Sequence, residues 1–378
     1  MDVYISSAVR TPIGHFQGEL SKYSATQLGS VAIKAAVDRC ELDPKIIQSV
    51  MMGCVLPAGL GQAPARQASI GAGIPNTVGC STINKVCGSG MKTVMLAHDA
   101  IKAGTAEIIV AGGMESMTNA PYLLPNARKG YRIGHKKVLD HMFYDGLEDA
   151  YQPGHLMGQF AESCVEKYHF TREAQDNFAM ESLSRAKNAI KEDLFKSEIV
   201  SVDDFYEDEC PKHANTDKIK TLKPAFKKNG TITAANASSI SDGAAALVIT
   251  SDTSIKPMAK IVAHSTNSQD PEWFTTAPVG AINKLLKITG WTISDVDLFE
   301  INEAFAVVAL ATMQELIIPH DKLNIHGGAC ALGHPLGATG ARIIVTLLHA
   351  LIQKNLQRGV AAICIGGGEA TAIAIERV

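Results

Sequence analysis

The sequence predicts an α/β protein built from two similar halves, with a separate segment inserted into the first half. Three observations carry this reading. Short apolar runs that close in glycines, such as Ile108-Ile109-Val110-Ala111-Gly112-Gly113, have the composition of strands buried on both faces, and they alternate with stretches of helical spacing. Elements lying between Ala32 and Glu115 recur beyond Ala281 at a nearly constant offset. From Asn119 to about Thr233 the texture changes, with prolines at 121, 125, 153, 211 and 224 and many charges.

Taken in order, a first strand is expected at Val3 to Ser6, with Pro12 and Gly14 stopping any regular element soon after. Thr26 to Cys40 carries Leu28, Val31, Ala32, Ala35 and Ala36 at helical spacing. A buried strand covers Ser49 to Val55, and a helix Ala63 to Gly71. Thr77-Val78 leads into a strand that delivers Cys87, which opens a helix ending near Ala103-Gly104. The changed stretch holds one clear helix, Arg172 to Lys191, and otherwise reads as loops and helices without sheet. Core texture returns at Asp242 to Ile249, followed by strands over Lys260 to Ala263 and Val296 to Ile301.

The offset is checkable by counting. Ala32-Ile33-Lys34 recurs as Ala281-Ile282-Asn283, and Ser49 to Gly53 meets Leu298 to Asn302, both at 249. Gly90 with its helix corresponds to Gly340 with its own at 250, and Ile108 to Glu115 corresponds to Ala362 to Glu369 at 254. Duplication of this kind implies a pseudo-twofold relation that gathers equivalent loops around one cleft. The division follows: residues 1–118 with 234–252 form the first half, 119–233 the insertion, and 253–378 the second half.

A chain of 378 residues can bury a large core. A net charge of −3 gives no electrostatic footprint for nucleic acid or an anionic membrane surface. No run approaches the roughly 18 apolar residues of a membrane span, and Met1-Asp2-Val3-Tyr4-Ile5 lacks a charged leader, so a cytoplasmic protein is expected. The eight cysteines include no C-x-x-C pair, which argues against a disulfide framework and against a structural zinc site.

Four stretches carry chemistry. In Asn84-Lys85-Val86-Cys87-Gly88-Ser89-Gly90-Met91-Lys92 a cysteine stands at a helix start, where the helix dipole favours a thiolate and Gly88 and Gly90 let an acyl group and backbone approach closely. A buried inert thiol is the alternative. Asn302-Glu303-Ala304-Phe305 sets an amide where a strand gives way to a helix, either as an N-cap or to position a water or an oxyanion. Around His334 the run Gly327 to Arg342 holds five glycines and a proline, suited to a base, an N–H donor or a phosphate cradle. Cys364-Ile365-Gly366 ends a buried strand. Two cysteines, a histidine and an asparagine at strand ends suffice for thioester chemistry, one thiolate holding the acyl group and a second thiol acting as acid and base.

At these residues the whole chain resembles the thiolase family, specifically acetyl-CoA acetyltransferases. The signatures are Ile83 to Lys92, Ala111-Gly112-Gly113-Met114-Glu115-Ser116-Met117, Asn302 to Phe305, Gly333-His334-Pro335 and Cys364-Ile365-Gly366, in that order. The resemblance implies duplicated βαβαβαββ halves in a layered αβαβα arrangement with an inserted CoA-binding loop domain. It implies Cys87 as nucleophile, His334 as its base, Cys364 as the acid and base of the second half-reaction, and Asn302 holding a water beside the enolate. The N–H groups of Cys87 and Gly366 would form an oxyanion hole. Leu147, Met157, Phe226, Ala237 and Ser238 would line the pantetheine tunnel, closed by Ala304 and Phe305. The partners implied are acetyl-CoA, acetoacetyl-CoA and CoA as substrates, with no cofactor, no metal, no nucleic acid and no membrane. A homotetramer is implied too, with Tyr122 to His141 as its contact loop. Two departures stand out: His155-Leu156-Met157-Gly158 replaces the His-Met-Gly of short-chain biosynthetic relatives, and Pro211-Lys212 lies where several relatives have arginine. The rival readings are a degradative 3-ketoacyl-CoA thiolase for longer chains and a non-catalytic acyl-CoA binding protein. A ketoacyl synthase is disfavoured, because that type uses a second histidine where this chain has Cys364.

Overall fold

A computed structural model describes all residues, 1–378. The first half runs β1 (Tyr4–Arg10), a two-residue β2 (Gly14–His15), α1 (Ala25–Arg39), β3 (Ser49–Gly53), α2 (Pro64–Gly71), β4 (Gly79–Ile83), α3 (Ser89–Lys102) and β5 (Ile108–Ser116). The insertion contributes β6 (Tyr122–Leu123), β7 (Leu139–Asp140), α4 (Met157–Tyr168), α5 (Arg172–Lys191), α6 (Cys210–His213) and α7 (Thr216–Ile219), after which β8 (Ser241–Thr250) returns to the first sheet. The second half repeats the plan with β9 (Ala259–Ser268), α8 (Ala277–Thr289), β10 (Leu298–Ile301), α9 (Ala306–Leu316), α10 (Ala329–Leu332), α11 (Leu336–Lys354), β11 (Arg358–Ile365) and β12 (Glu369–Arg377).

The strand order is β4-β3-β5-β8-β1 in one half and β10-β11-β12-β9 in the other. In each half a parallel pair, β3 with β5 or β10 with β11, is followed by two antiparallel joins. A parallel bridge from Phe299 to Leu323 takes the place of a fifth strand in the second half. The two sheets meet edge to edge, because Tyr4 pairs with Lys260 and Ile5 with Ala259. Strand pairing corrects one offset. Ser49 pairs with Ile109 and Leu298 with Gly359, so the last strands correspond at 250, not 254.

Helices α3 and α11 lie together between the sheets. Met91, Val94 and Met95 of α3 and Ile343, Ile344 and Leu347 of α11 pack with Ile109 and Leu247 of one sheet and Ile363 and Ile373 of the other. Each such side chain contributes about 1.5–3 kcal/mol when fully buried. Helices α1 and α2 cover the outer face of the first sheet, and α8 and α9 that of the second, which gives five layers. Position in the central layer explains a departure from expectation. Leu336–Lys354 is long and apolar enough to cross a membrane, yet 89% of its apolar window is buried inside the protein. A helix covered on all sides has no polar face to keep.

The first strand extends to Arg10, beyond the expected Ser6, because Arg10 leaves β1 into a buried ion-pair network. Its guanidinium meets Glu198 at 2.5 Å and Asp208 at 2.7 and 2.9 Å, and so ties the insertion to the sheet. The insertion also holds sheet after all: Tyr122 pairs with Asp140 and Leu123 with Leu139 in a projecting hairpin.

Candidate active site

The cysteine turn is built from its neighbours inward. Val86 adopts φ +45°, a left-handed conformation that a β-branched residue avoids unless it is held there. Several hydrogen bonds hold it. Asn84 Oδ1 accepts from the Val86 N–H at 2.9 Å, Ser89 Oγ donates to the Val86 carbonyl at 2.7 Å, and the Lys85 N–H donates to Ser89 Oγ at 2.8 Å. Cys87 is thereby raised on a tight elbow one residue before Gly88, the cap of α3. The glycines beside it serve packing. A Cβ on Gly88 would stand 2.3 Å from Ile365 Cδ1, and one on Gly90 would stand 2.8 Å from the Ala341 nitrogen. The close backbone approach expected at these glycines is the crossing of α3 with α11 and β11.

Burial pushes the Cys87 thiol up to about 11, and it outweighs the Gly366 and Cys87 N–H groups, which favour the thiolate. The helix start therefore does not leave a resting thiolate here. His334, 5% exposed, is also held neutral: burial, followed by the charge on Arg342, lowers it to about 3. Its tautomer follows from Thr339, whose hydroxyl donates to the Pro335 carbonyl at 2.9 Å and so accepts from Nδ1–H at 2.6 Å. Nε2 is left bare. The His334 backbone is fixed as well, its N–H donating to Ser239 O at 3.0 Å. A thiol and an imidazole with an open nitrogen thus face one space without charge separation.

Asn302 is fully buried at the end of β10, and its Nδ2 approaches His334 Nε2 at 3.5 Å. It is not a helix cap: α9 begins at Ala306 behind Phe305, so the capping alternative fails. Glu303 points the other way, accepting from Ser182 Oγ, Asn324 Nδ2 and the Cys330 N–H at 2.8 to 3.0 Å. Cys364, fully buried at the end of β11, is raised well above the ordinary thiol range by burial and then by its proximity to Cys87. Glu115 went unnoticed as a site residue. It accepts from the Val55, Leu56 and Gly337 N–H groups at 2.8 to 3.1 Å and binds the first turn of α11 to the first half.

Cys87, His334 and Gly366 line a cavity of about 420 Å³. All seven residues named for the CoA arm line it too: Leu147 and Met157 from the insertion, Phe226, Ala237 and Ser238 from its return, and Ala304 and Phe305 from the second half. Backbone bonds join the last two groups, since the Ser238 N–H donates to Ala304 O at 3.0 Å and the Ala306 N–H to Asn236 O at 2.8 Å. Phe226 meets Phe305 edge to face at 5.8 Å, and only a glycine fits beneath it, because a Cβ on Gly158 would stand 2.3 Å from its ring. Asn302 and Cys364 are fully buried next to the lining residues, Asn302 beside His334 and Cys364 close to Cys87. Leu156 lines the cavity, whereas His155 is exposed and stacked on Phe160 at 6.1 Å. Neither Pro211 nor Lys212 reaches the cavity, and Lys212 pairs with Glu207 at 2.9 Å. Of the additional lining residues, Phe16 and Phe143 come from segments with no local signal in the sequence, whereas Leu336 belongs to the glycine-rich run around His334.

Comparison with known proteins agrees with this architecture. The family descriptions "Thiolase, N-terminal domain" and "Thiolase, C-terminal domain" match residues 3–253 and 255–377. An acetyl-CoA acetyltransferase of Schizosaccharomyces pombe is 49% identical over 100% of this chain and 99% of its own. Acetyl-CoA acetyltransferase 1 of Arabidopsis thaliana is 50% identical over 99% of this chain and 94% of its own. Among solved structures, a thiolase of Ascaris suum in complex with coenzyme A superposes with a TM-score of 0.96 at 46% identity, covering 100% of both chains. The acetyl-CoA acetyltransferase of Bacillus anthracis does so with a TM-score of 0.97 at 39% identity, over 100% of this chain and 99% of that one. The fold, the ordered motifs and these full-length matches together make the chain a member of the thiolase family.

Proposed function

We propose that this protein is an acetyl-CoA C-acetyltransferase, joining two acetyl-CoA molecules into acetoacetyl-CoA and CoA through an acetyl-Cys87 intermediate, and running the same steps backwards as thiolysis. The observation that carries the reading is the meeting of Cys87, His334 and Gly366 in the wall of one apolar cavity. Neutral, mostly apolar pantetheine suits such walls.

The steps balance with the groups present. Cys87 Sγ attacks the thioester carbonyl as His334 Nε2 takes the thiol proton, and the Cys87 and Gly366 N–H groups receive the oxyanion. Cys364 gives its proton to the departing CoA thiolate. Cys364, now a thiolate, removes a proton from the methyl carbon of the second acetyl-CoA, while His334 and a water held by Asn302 stabilise the enolate oxygen. The carbanion attacks the acetyl group, Cys87 leaves as a thiolate, and His334 returns its proton. No resident cofactor or metal takes part, because the CoA thioesters are themselves the substrates. A cytoplasmic homotetramer completes the reading, its location supported by a relative from Gibberella zeae whose name includes "cytosolic" and its assembly by the exposed apolar side chains of the β6–β7 hairpin.

The test is thiolysis of acetoacetyl-CoA by free CoA, followed by absorbance, before and after iodoacetamide. Activity that alkylation removes, with the label on Cys87, and a Cys87→Ser variant without turnover are the outcomes expected. Turnover confined to longer 3-ketoacyl-CoA would move the enzyme to the degradative branch. A fully active Cys87→Ser variant would sink the nucleophile assignment.

A further inference from the structure

Far from the cavity, the last turns of α3 and the middle of β9 bring together His98, Asp99 and His264. One ligand atom from each lies within 4.8 Å of the others. His264 Nε2 meets Asp99 Oδ1 at 2.8 Å, His98 Nδ1 is 3.5 Å from the same oxygen, and the two imidazoles are edge to face with centroids 5.1 Å apart. His98 supplies an independent sign. It is 8% exposed, yet neither of its ring nitrogens makes a hydrogen bond, a cost that a buried imidazole does not normally carry.

We propose that His98, Asp99 and His264 form a binding site for a zinc-like divalent cation, with water as the fourth ligand. Two imidazoles and a carboxylate are the donor set of tetrahedral zinc, whose ligand atoms stand at about 2.0–2.1 Å from the ion and so about 3.3 Å from one another. The 2.8 and 3.5 Å separations bracket that spacing. The side chain of Asp99 is 53% exposed, which gives the ion and its water a route in. The absence of C-x-x-C pairs does not reach this site, because its ligands come from segments about 165 residues apart and none is a cysteine. An ion held there joins α3 of the first half to β9 of the second, so its role is a clip across the duplication and not a part of the acyl transfer.

Cobalt(II) is the probe, because it reports its ligands in the visible spectrum. Chelator-stripped full-length protein titrated with cobalt is expected to take up one equivalent per chain, with four-coordinate absorption, no thiolate charge-transfer band, and displacement by zinc. His264→Gln and Asp99→Asn should each lose that equivalent while keeping the native circular dichroism and acetoacetyl-CoA thiolysis. Zinc should raise the melting temperature of the parent and not of either variant. Absence of a stoichiometric equivalent, a thiolate band that places the ion on cysteines, or uptake that survives both substitutions would overturn the site. A pair of well-folded variants that bind as the parent does would leave the cluster as a structural ion pair.

Discussion

Cys87 and His334 are poised rather than charged. With the thiol at about 11 and the imidazole at about 3, the resting pair is neutral across the physiological range, and the proton moves only as a thioester is attacked. The sign is testable. A thiol raised above its ordinary value near 8.5 is protonated below that raised value, so its reactive thiolate grows about tenfold per pH unit up to it. Alkylation of Cys87 by iodoacetamide in the absence of CoA should therefore climb steadily from pH 7 to pH 10. A rate that is flat through neutrality would mean a preformed thiolate–imidazolium pair. Thr339 gives the second prediction at this scale. As the acceptor for His334 Nδ1–H it selects the tautomer with a bare Nε2. Thr339→Val, which leaves that N–H unpaired, should lower kcat by about ten- to a hundredfold with little change in KM. Thr339→Ser should restore it, and equal loss in both variants would count against the positioning role. Cys87 and His334 were legible in the sequence from their glycine-rich surroundings, and Asn302 from its place where an apolar strand gives way to a helix. Thr339 was not, since a threonine inside a glycine-alanine run says nothing until the helix places it one turn below the ring.

At the scale of elements, the site depends on how closely α3 and α11 cross. Gly340 is the contact. A Cβ there would stand 2.4 Å from the Met91 backbone nitrogen, which cannot swing aside as a side chain can. Gly340→Ala should cost at least about 1–3 kcal/mol of stability by overpacking, seen as a lower urea midpoint, and should lower turnover in the fraction that remains folded. Unchanged stability would show that the helices have slack. Helices with a clear apolar stripe were readable closely: Arg172–Lys191 has the same bounds in sequence and structure. The last strand correspondence was misplaced by four residues because apolar-then-glycine runs look alike when slid along each other, and only the pairing partners fix the register. At Cys87 burial outweighs the N–H groups that favour the thiolate, and that balance was not legible in the sequence. Desolvation depends on what covers the turn, and the covering residues, Ile365 and the insertion, are distant in sequence.

For the whole molecule, the hairpin of β6 and β7 is the feature that a lone chain does not explain. Tyr122, Leu124, Ile133 and Val138 are 69%, 56%, 86% and 57% exposed, an apolar display that suits contact with further copies. Light scattering should give four times the 40.2 kDa of the chain, and half of that for a variant lacking 124–138. Equal masses for the two would relieve the hairpin of this role. The duplicated plan has a further consequence. Cys87 precedes α3 and His334 precedes α11, the corresponding helices of the two halves. Two separate, identical chains related by symmetry would have to present the same side chain at both places, a pair of nucleophiles or a pair of bases. Covalent fusion lets one copy keep sulfur while the other keeps an imidazole, so the division of labour is itself a product of having both halves encoded in a single reading frame.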